Sequence, residues 1–387
     1  MSALHKALFV FGTRPEAIKL APVIKCFRDR ARIQSRVCVT GQHREMLSQA
    51  LRLFGIAPDY DLDVMRPDQD LSSLTAQLFP ALDRVLLDEK PDITIVQGDT
   101  TSAMVGALTA FYHRVPVAHV EAGLRTGDKY NPFPEEINRV IIDRIADLHF
   151  APTSLAAERL LNEGVNRASV HVTGNTVVDA LRSVLERVPS QAVASDLAEL
   201  PAWLSESSED DGGRRVVLIT GHRRESFGKD LEAICMAIRE IAQRNPDVDV
   251  VYPVHFNPNV REPVNRLLQR IDNVHLIDPL NYAAFVRLMS RSYLVVTDSG
   301  GVQEEVVSLG KPTLVTRKVT ERPEGIQAGV AVLVGVDKER IVSTVQHLLD
   351  DRDAYVQMAS VASPYGDGDA SERIEEITYR WLEERIG

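Results

Sequence analysis

Cysteine is scarce in this sequence, and the motifs of several large enzyme classes are absent. The chain has three cysteines among 387 residues, and the scattered positions of Cys26, Cys38 and Cys235 fit neither a disulfide framework nor a zinc-binding spacing. We therefore expect reduced thiols and a cytoplasmic protein. No G-x-G-x-x-G, Walker A or H-E-x-x-H sequence is present, which argues against dinucleotide redox chemistry, P-loop hydrolysis and zincin-type metal chemistry.

Long apolar segments and an excess of positive charge are also absent. No run approaches the roughly 18 apolar residues of a membrane span, and the apolar segment at residues 7–11 is too short for a secretory leader. The 44 basic and 55 acidic residues give a net charge of −11, which disfavours nucleic acid and anionic membranes as partners. Residues 59–63, "DYDLD", space carboxylates at every second position. Because this spacing also suits the solvent face of an extended segment, we predict no metal site there.

The hydrophobic pattern predicts two α/β domains. A chain of 387 residues is too long for one ordinary core, and short β-branched runs alternate with amphipathic segments of helical length, such as 15–29, 71–87 and 230–244. This alternation is typical of parallel sheets wound by helices on both faces. The predicted strands span residues 8–11, 37–40, 93–96, 115–120, 169–173, 216–220, 248–254, 274–277, 294–297 and 313–316.

The alternation is interrupted once, between residues 188 and 215. The sequence "SESSEDDGG" in this interval is acidic and rich in glycine, which indicates a solvated loop and a domain boundary. We therefore place an N-terminal domain at 1–185, a linker region at 186–214 and a C-terminal domain at 215–367. A last helix at about 368–387, rich in Glu and Arg, is expected to fold back on the first domain.

The turn after the first predicted strand, "GTRPE", contains an unexpected arginine. Gly12 lets the backbone turn, Pro15 suits the first helical position, and Glu16 complements the helix dipole. Arg14 would lie beside the positive end of the helix, where a cation is misplaced unless an anion joins it. We predict that Arg14 and the helix N-terminus bind a phosphate or carboxylate. Lys19, one turn later, could add a second charge or be an ordinary surface lysine.

Two turns of the second domain have a similar character. In "TDSGGVQEEVV", Gly300 and Gly301 precede a helix predicted at about 302–309, and the exposed backbone N–H groups would suit a diphosphate. Glu305, about one turn into that helix, could accept hydrogen bonds from ribose hydroxyls. In "TGHRRES", His222 and two arginines directly follow a strand, which indicates that His222 faces an anion. A plain tight turn and a structural histidine are the alternatives.

The first domain places acids after its strands instead. Asp99 ends one strand and could also be a helix cap, and Glu135 follows Pro134 and could be a first-turn acid. Glu121 ends an otherwise buried strand, where a carboxylate is unfavourable unless it is paired or has a functional role. Carboxylates crowded into one cleft can be driven to different pKa values, which provides one acid and one base. The chain thus reads as a two-domain α/β nucleotide-sugar enzyme with a phosphorylated ligand between its domains.

Many longer motifs of the chain resemble one family, the non-hydrolysing UDP-N-acetylglucosamine 2-epimerases of bacteria. The similarity runs in order from residue 11 to about residue 374 and is highly specific because so many motifs occur together. These motifs are "FGTRPEAIKLAP", "QHREML", "VQGDTTSA", "HVEAGLRTGD", "PEEINR", "TGNTVVDAL", "TGHRRESFG", "YPVHFNPNVREPV", "DSGGVQEE", "LGKP", "TERPEG" and "PYGDG".

The resemblance implies a fold and an activity. The expected fold is the GT-B architecture, in which two Rossmann-like doubly wound parallel-sheet domains hold the active site in the interdomain cleft and a C-terminal helix crosses back. The expected protein is a homodimer that interconverts UDP-N-acetylglucosamine and UDP-N-acetylmannosamine without a metal or other cofactor. The family is thought to eliminate UDP to give 2-acetamidoglucal and to add it back with the proton on the other face.

The resemblance also implies roles for individual residues. The family's catalytic carboxylates match Asp99, Glu121 and Glu135, and its essential histidine near the diphosphate matches His222. Diphosphate contacts match Arg14, Ser299, Gly300 and Gly301, the ribose-binding acid matches Glu305, and further substrate-binding positions match Lys19, Arg139 and Arg322. Some members bind UDP-N-acetylglucosamine as an activator near the positions of Gln42 and His43. The extra acids Glu45 and Asp68 of this chain could weaken that site, so activation stays open.

Three alternatives to this function remain at the level of sequence. A hydrolysing 2-epimerase would release UDP and free N-acetylmannosamine, and a GT-B glycosyltransferase would transfer the sugar to an acceptor. The three acids of the first domain argue against a simple transferase. A regulator that binds a nucleotide sugar without turning it over is the third alternative, and the intact catalytic positions argue against it.

Overall fold

Two parallel sheets organise the part of the chain that the structure, a computed structural model, describes. This part comprises residues 4–41, 44–64, 66, 69–187, 197, 199–205, 214–221, 227–320 and 322–386. The chain divides into unit 1, which comprises Met1–Ser183 and Tyr365–Gly387, and unit 2, which comprises Val184–Pro364. Each unit is an α/β fold with helices between parallel strands, so the predicted class of two doubly wound domains is confirmed.

Unit 1 contains a sheet of seven strands in the described residues, in the order β3-β2-β1-β4-β5-β6-β7. The strands are β1 (His5–Phe11), β2 (Ile33–Val39), β3 (Tyr60–Asp61), β4 (Ile93–Gln97), β5 (Val117–Val120), β6 (Leu148–Ala151) and β7 (Val170–Val172). The helices are α1 (Arg14–Arg30), α2 (Arg44–Phe54), α3 (Leu71–Glu89), α4 (Thr101–Tyr112), α5 (Glu135–Ile145), α6 (Ser154–Asn162) and α7 (Thr176–Arg187), which contains the boundary between the units.

Unit 2 repeats this order with six strands in its described part, β10-β9-β8-β11-β12-β13. The strands are β8 (Arg215–Thr220), β9 (Val248–Pro253), β10 (Val274–Ile277), β11 (Leu294–Thr297), β12 (Thr313–Val315) and β13 (Ala331–Leu333). The helices are α8 (Ala202–Ser205), α9 (Lys229–Arg244), α10 (Pro258–Leu268), α11 (Tyr282–Arg291), α12 (Gly300–Ser308), α13 (Pro323–Ala328), α14 (Lys338–Asp350) and α15 (Arg352–Ala359). Helix α16 (Ala370–Ile386) belongs to unit 1.

The central strands are apolar on both faces because helices cover both sides of each sheet. All five residues of β4 are buried, and the stretch from Ala7 to Phe11 in β1 is at most 1% exposed. The ring of Phe9 packs edge-on against Phe27 of α1, with 5.2 Å between the ring centroids. In sequence, such strands are continuous runs of hydrophobic residues rather than alternations of hydrophobic and polar residues. The sequence pattern located them for this reason.

Three strands escaped the sequence analysis. They are β3, β6 and β13, and each has two to four residues. Segments of this length give only a weak hydrophobic pattern, although the equally short β7 and β12 were located. The ten predicted strands are confirmed to within a few residues, as are the predicted helices at 15–29, 71–87 and 230–244.

Residues 199–205 of the predicted linker region belong to unit 2 and pack against the rest of it. The ring of Trp203 lies against His275, with 4.8 Å between the ring centroids, and the carboxylate of Glu199 accepts a hydrogen bond of 2.7 Å from the backbone N–H of Asn281. The acidic segment at 206–213 lies outside the described residues.

The C-terminal helix is attached to α1 by a network of charges. Glu375 of α16 is fully buried and accepts hydrogen bonds from Arg30, at 3.0 Å, and from Arg32. Glu376 accepts from both arginines as well. The predicted helix at the end of the chain is therefore present and packs on the first unit, because its buried acid Glu375 needs the cations of Arg30 and Arg32.

A second attachment joins α7 to the start of α16 and provides a test of stability. The backbone N–H of Ser371 donates to Oδ1 of Asp179 at 2.7 Å, and Oδ2 of this carboxylate is buried without a hydrogen-bond partner. Burial raises the pKa of Asp179, although the hydrogen bonds at Ser371 oppose the shift. The folded state therefore binds this proton more tightly than the unfolded state does, and the group destabilises the fold as pH rises above about 4.

Asp179→Asn is accordingly expected to raise the free energy of unfolding at pH 7, since the amide keeps the acceptor for Ser371 and removes the buried charge. The gain over the wild type should disappear below about pH 4, where the carboxyl group is protonated in both states. Urea unfolding at a series of pH values measures both effects. A variant that is less stable than the wild type at pH 7 would contradict this interpretation.

The helices were compared with the length and hydropathy that a membrane span requires. Across the described ranges, none of them is both long enough and apolar enough to cross a bilayer.

Candidate active site

In both units, the sequence-predicted site residues follow the strands at which the sheet order reverses. In unit 1 this point lies between β1 and β4, and in unit 2 it lies between β8 and β11. Ligands of open α/β sheets bind beyond the carboxyl ends of the strands at such a point. Arg14 and Asp99 follow β1 and β4, while Ser299 follows β11. The topology therefore places these residues where the fold class binds its ligands.

The turn between β1 and α1 is fixed by Glu16 and by the absence of a side chain at Gly12. A Cβ atom at Gly12 would overlap the hydroxyls of Thr40 and Ser102. One carboxylate oxygen of Glu16 accepts hydrogen bonds from the backbone N–H groups of Gly12, at 3.1 Å, and Thr13, at 2.8 Å. Burial raises the pKa of Glu16, and these hydrogen bonds oppose the shift. Helix α1 begins at Arg14, one residue earlier than predicted. The predicted anion-binding arginine is therefore the first residue of the helix, where the positive end of the helix dipole lies.

The same glutamate links this turn to the next one. Its other oxygen accepts a hydrogen bond of 2.7 Å from the hydroxyl of Thr100, which caps α4. Arg14 is only partly buried at the start of α1. The predicted anion-binding turn and the turn that carries Asp99 are therefore held together by one buried carboxylate.

Glu121, at the end of β5, lies in a cluster of hydrogen-bond donors. It is 7% exposed and has a φ of 68°, an uncommon backbone conformation for a residue with a side chain. Lys19 forms an ion pair with Oε1, and Asn175 donates to the same oxygen at 3.1 Å. Gln97 donates to Oε2. The partners that the sequence did not reveal for Glu121 therefore include Lys19, Asn175 and Gln97, and Lys19 is not an ordinary surface lysine.

Asp99 is held by α5, the helix that Glu135 begins. Arg139 of this helix donates to Oδ2 of Asp99, and Asn138 donates to its backbone oxygen at 2.8 Å. The carboxylate of Asp99 remains 29% exposed. Glu135 lies four residues before Arg139, so both side chains project from one face of the helix. The residue before Asp99 lies close to Glu121, since a Cβ atom at Gly98 would be 3.6 Å from Oε2 of Glu121.

The glycine-rich turn of unit 2 differs from its prediction in one respect. Helix α12 begins at Gly300, so both glycines lie within its first turn rather than before it, and Ser299 is the cap residue. The threonines at the ends of β8 and β11 fix this turn: Thr220 donates to the hydroxyl of Thr297 at 2.6 Å, and that hydroxyl accepts from the N–H of Ser299 at 3.0 Å. The first N–H groups of a helix have no partner within it, so the anion-binding character expected of the turn is retained.

Arg322 lies beside this helix N-terminus. A Cβ atom at Gly300 would lie 3.2 Å from a terminal nitrogen of its guanidinium group, and Nε of Arg322 donates to Glu304 at 2.7 Å. Glu304 is 1% exposed, so a buried carboxylate orients the arginine. Glu305 is 6% exposed and accepts a hydrogen bond of 2.6 Å from the hydroxyl of Tyr282.

Three predicted site residues lie outside the described residues: His222, Gln42 and His43. Gly221, directly before His222, is described. Its backbone oxygen accepts a hydrogen bond of 2.9 Å from the hydroxyl of Tyr252, a side chain that is 1% exposed.

Sequence reasoning missed the residues that orient the predicted ones. These are Gln97 and Asn175 at Glu121, Asn138 at Asp99, Glu304 at Arg322 and Tyr282 at Glu305. Two signals were available: Gln97 is a polar residue that ends a buried strand, and Asn175 lies in the quoted motif "TGNTVVDAL". Neither signal indicates that Gln97 and Asn175 contact Glu121, because these residues are distant from Glu121 in sequence.

The cluster in unit 1 offers acids and bases rather than metal ligands. Among the described residues there is no group of three or more His, Cys, Asp or Glu side chains suited to a metal ion. Two carboxylates of the cluster face a cation: Glu121 faces Lys19, and Asp99 faces Arg139. Such carboxylates can exchange a proton with a ligand or stabilise a developing positive charge.

Comparison with known proteins decides the family. Residues 25–378 match the model of the family described as UDP-N-acetylglucosamine 2-epimerase. The chain belongs to this family. A UDP-N-acetylglucosamine 2-epimerase of Yersinia pestis is 54% identical over 370 residues, which cover 95% of this chain and 97% of the relative.

Solved structures of the family have the same fold. The UDP-GlcNAc 2-epimerase of Neisseria meningitidis, solved with UDP-GlcNAc bound, is 45% identical with a TM-score of 0.89 and covers 97% of this chain and 100% of its own. The S. aureus protein MnaA, solved with UDP, is 43% identical with a TM-score of 0.85 and covers 98% of this chain and 97% of its own. These relatives bind a nucleotide sugar and a nucleotide.

Proposed function

We propose that this protein catalyses the reversible epimerisation at C2 of UDP-N-acetylglucosamine to UDP-N-acetylmannosamine. One observation carries the proposal, namely the similarity over nearly the whole chain to an epimerase solved with UDP-GlcNAc. The proposed route eliminates UDP to give 2-acetamidoglucal and then adds UDP back. No metal or redox cofactor takes part in it.

The route follows from the chemistry of the substrate. The proton at C2 is not adjacent to a carbonyl group, so its removal alone would leave an unstabilised carbanion. Loss of UDP from C1 as C2 loses its proton avoids that intermediate. The reaction then requires a base near C2, groups that stabilise the departing diphosphate, and an acid that returns the proton to the other face.

Unit 1 supplies the groups for proton transfer in this proposal. Asp99, Glu121 and Glu135 are the catalytic carboxylates, and their placement at the carboxyl ends of β4 and β5 and at the start of α5 supports the assignment. Arg139 holds Asp99, and Lys19 holds Glu121, each through an ion pair. The two cations also lower the electrostatic free energy of binding an anionic substrate to a cluster of acids.

Unit 2 supplies most of the groups proposed to bind UDP, and Arg14 of unit 1 is a further proposed contact of the diphosphate. The N-terminus of α12, formed by Ser299, Gly300 and Gly301, and the nearby guanidinium of Arg322 are the proposed contacts of the diphosphate. Glu305 is the proposed acceptor for ribose hydroxyls. His222 completes the set as the histidine near the diphosphate.

Proton NMR in D2O with UDP-N-acetylglucosamine as the only added reactant tests this function. The expected result is UDP-N-acetylmannosamine with deuterium at C2 and no stoichiometric release of UDP. Accumulation of UDP and free N-acetylmannosamine would instead assign the chain to the hydrolysing epimerases. An unchanged spectrum with demonstrable binding of the nucleotide sugar would favour a transferase that lacks its acceptor, or a regulator.

Arg14→Ala tests the anion-binding role of the first turn. Loss of a guanidinium that contacts the diphosphate is expected to weaken UDP binding by about 10- to 100-fold, since a charge-assisted hydrogen bond contributes about 1.5–3 kcal/mol. Isothermal titration calorimetry with UDP measures the effect. Arg28→Ala, at the other end of α1, is the matched control and is expected to bind UDP as the wild type does. An unchanged affinity in Arg14→Ala would refute the contact.

Two finer assignments complete the proposal. We propose a homodimer, and its candidate surface is the cluster of Phe79, Phe111 and Tyr112, in which Phe111 is 53% and Tyr112 is 65% exposed. Exposed aromatic clusters of this kind are enriched in protein interfaces. We also propose a cytoplasmic location, which the three free cysteines support.

A further inference from the structure

A buried aspartate outside the predicted site connects the segments that carry the carboxylates. Asp143 of α5 is 2% exposed, and its oxygen Oδ1 lies 2.5 Å from Nδ1 of His119. Oδ2 accepts a hydrogen bond of 3.2 Å from the backbone N–H of Gly123 and forms an ion pair of 2.8 Å with Arg125. A carboxylate with these partners is fixed at both oxygens.

His119 extends this connection to the turn after β4. Its side chain is fully buried, and Nε2 lies 2.7 Å from the backbone oxygen of Gly98, the residue directly before Asp99. The N–H of Gly98 donates in turn to the backbone oxygen of Val120 at 3.0 Å. The position of the turn is thus set by the ring of His119 on one side and by strand β5 on the other.

Nε2 of His119 donates to the turn after β4. A carbonyl oxygen such as that of Gly98 can only accept a hydrogen bond, so Nε2 carries a hydrogen. Burial raises the pKa of Asp143, but the interactions with His119 and Arg125 outweigh this effect and hold the pKa below its usual range. The carboxylate of Asp143 is therefore held in place by the ring of His119, by Arg125 and by the N–H of Gly123.

These contacts converge on all three proposed catalytic carboxylates. Through His119, Asp143 sets the turn that carries Asp99. Through the N–H of Gly123, it sets the turn that begins at Glu121, and it lies on the helix that Glu135 begins.

We propose that Asp143, acting through His119, is a positioning residue that fixes the catalytic carboxylates relative to one another for proton transfer at C2. This inference rests on the proposed function. Taking a charged pair out of water is unfavourable unless its geometry is well satisfied. In this chain the pair lies directly behind the carboxyl ends of β4 and β5, where the orientation of reacting groups controls the rate.

The experiment compares Asp143→Asn with the wild type in the epimerisation assay. Because small displacements of reacting groups can lower a rate by about 10²-fold, we expect kcat to fall by about 10- to 100-fold while KM and the affinity for UDP stay within about twofold. Asp147→Asn is the matched control. Asp147 is exposed, accepts a hydrogen bond of 3.0 Å from the N–H of Val117, and is expected to keep the wild-type kcat when changed.

Two variants of the histidine keep the test valid if Asp143→Asn does not fold. The amide of Gln places an N–H near the position of Nε2, and the amide of Asn places one near that of Nδ1. His119→Gln should therefore keep the bond to Gly98 and a larger part of kcat, whereas His119→Asn should lose that bond and lose more activity. A higher kcat for His119→Gln than for His119→Asn would indicate that the bond to Gly98 positions the turn. A general loss of stability would not produce this order.

The outcomes separate this inference from the proposed function. A wild-type protein that does not epimerise the substrate would contradict the proposed function itself. If the wild type is active and the kcat of Asp143→Asn, or of both His119 variants, equals that of the wild type, the positioning role is refuted. A variant whose melting temperature falls but whose folded fraction retains the wild-type kcat would also refute it, because the pair would then be purely structural.

Discussion

Asp99→Asn is expected to lower kcat for epimerisation by about 10²- to 10⁴-fold and to leave UDP affinity within about twofold. The amide has the shape of the carboxylate and still accepts a hydrogen bond from Arg139, but it cannot take up or return a proton. The side chain of Asp99 is 29% exposed and follows β4 rather than lying in its core, so the fold should tolerate the change.

Rates come from proton NMR in D2O, and affinities come from calorimetry with UDP. Asp278→Asn is the matched control, because Asp278 also pairs with an arginine, Arg261, at 2.9 Å, and is 69% exposed in unit 2. The control should keep both kcat and UDP affinity. If Asp99→Asn retains the wild-type kcat, Asp99 takes no part in proton transfer. If its loss of rate is matched by an equal loss of UDP affinity, its role is in binding.

Lys19→Met is expected to lower the free energy of unfolding of unit 1 by about 3–5 kcal/mol, the usual effect of removing one partner from a buried ion pair. The side chains of Lys19 and Glu121 are 12% and 6% exposed, so water cannot replace the ammonium group effectively. Glu121 would keep its bonds to Gln97 and Asn175 but would carry an uncompensated buried charge.

The double variant Lys19→Met/Glu121→Gln separates this cause from a packing defect. Removal of both charges should restore most of the lost stability, because the unpaired carboxylate is then absent. Urea unfolding can be followed by the fluorescence of Trp381 in α16 after Trp203→Phe, since the chain has two tryptophans and Trp381 belongs to unit 1. A double variant as unstable as Lys19→Met would contradict the electrostatic explanation.

An exposed ion pair of the same unit provides the control. Arg182 pairs with Asp369 at 3.4 Å, and the two side chains are 52% and 55% exposed. Exposed pairs contribute about 0–1 kcal/mol because water and salt screen them. Arg182→Met should therefore change the stability of unit 1 far less than Lys19→Met does.

A rule of the fold explains where the predicted site residues lie in the structure. Strands of a doubly wound sheet end at one edge, so residues that follow successive strands lie near one another. Asp99 and Glu121 were identified in this way, and the structure places them after neighbouring strands, β4 and β5. The start of α12 was misplaced by two residues, because glycine is unfavourable in helices and marks their ends in sequence.

The partners of these residues could not be predicted. Lys19 was left undecided between a ligand contact and the surface, and the structure pairs it with Glu121, 102 positions away. Asp143 carried no signal, since an aspartate in a helix is an ordinary residue. His119 begins the quoted motif "HVEAGLRTGD", but nothing in that motif indicated that it would pair with Asp143. Nothing in a local pattern specifies which of several buried polar residues will meet.

By itself, the sequence determined the fold class, the order of strands and helices, and the turns that carry the functional groups. These features depend on residues that are close together in the chain. They follow from the period of the hydrophobic residues, from the positions of glycine and from helix-capping residues. Only the tertiary structure decided the electrostatic state of the site. The sheet order places β1, β4 and β5 side by side, so that Lys19, Gln97 and Asn175 converge on Glu121 from distant parts of the chain. A buried carboxylate must be paired or hydrogen-bonded, and its partners are fixed by the topology rather than by neighbouring residues.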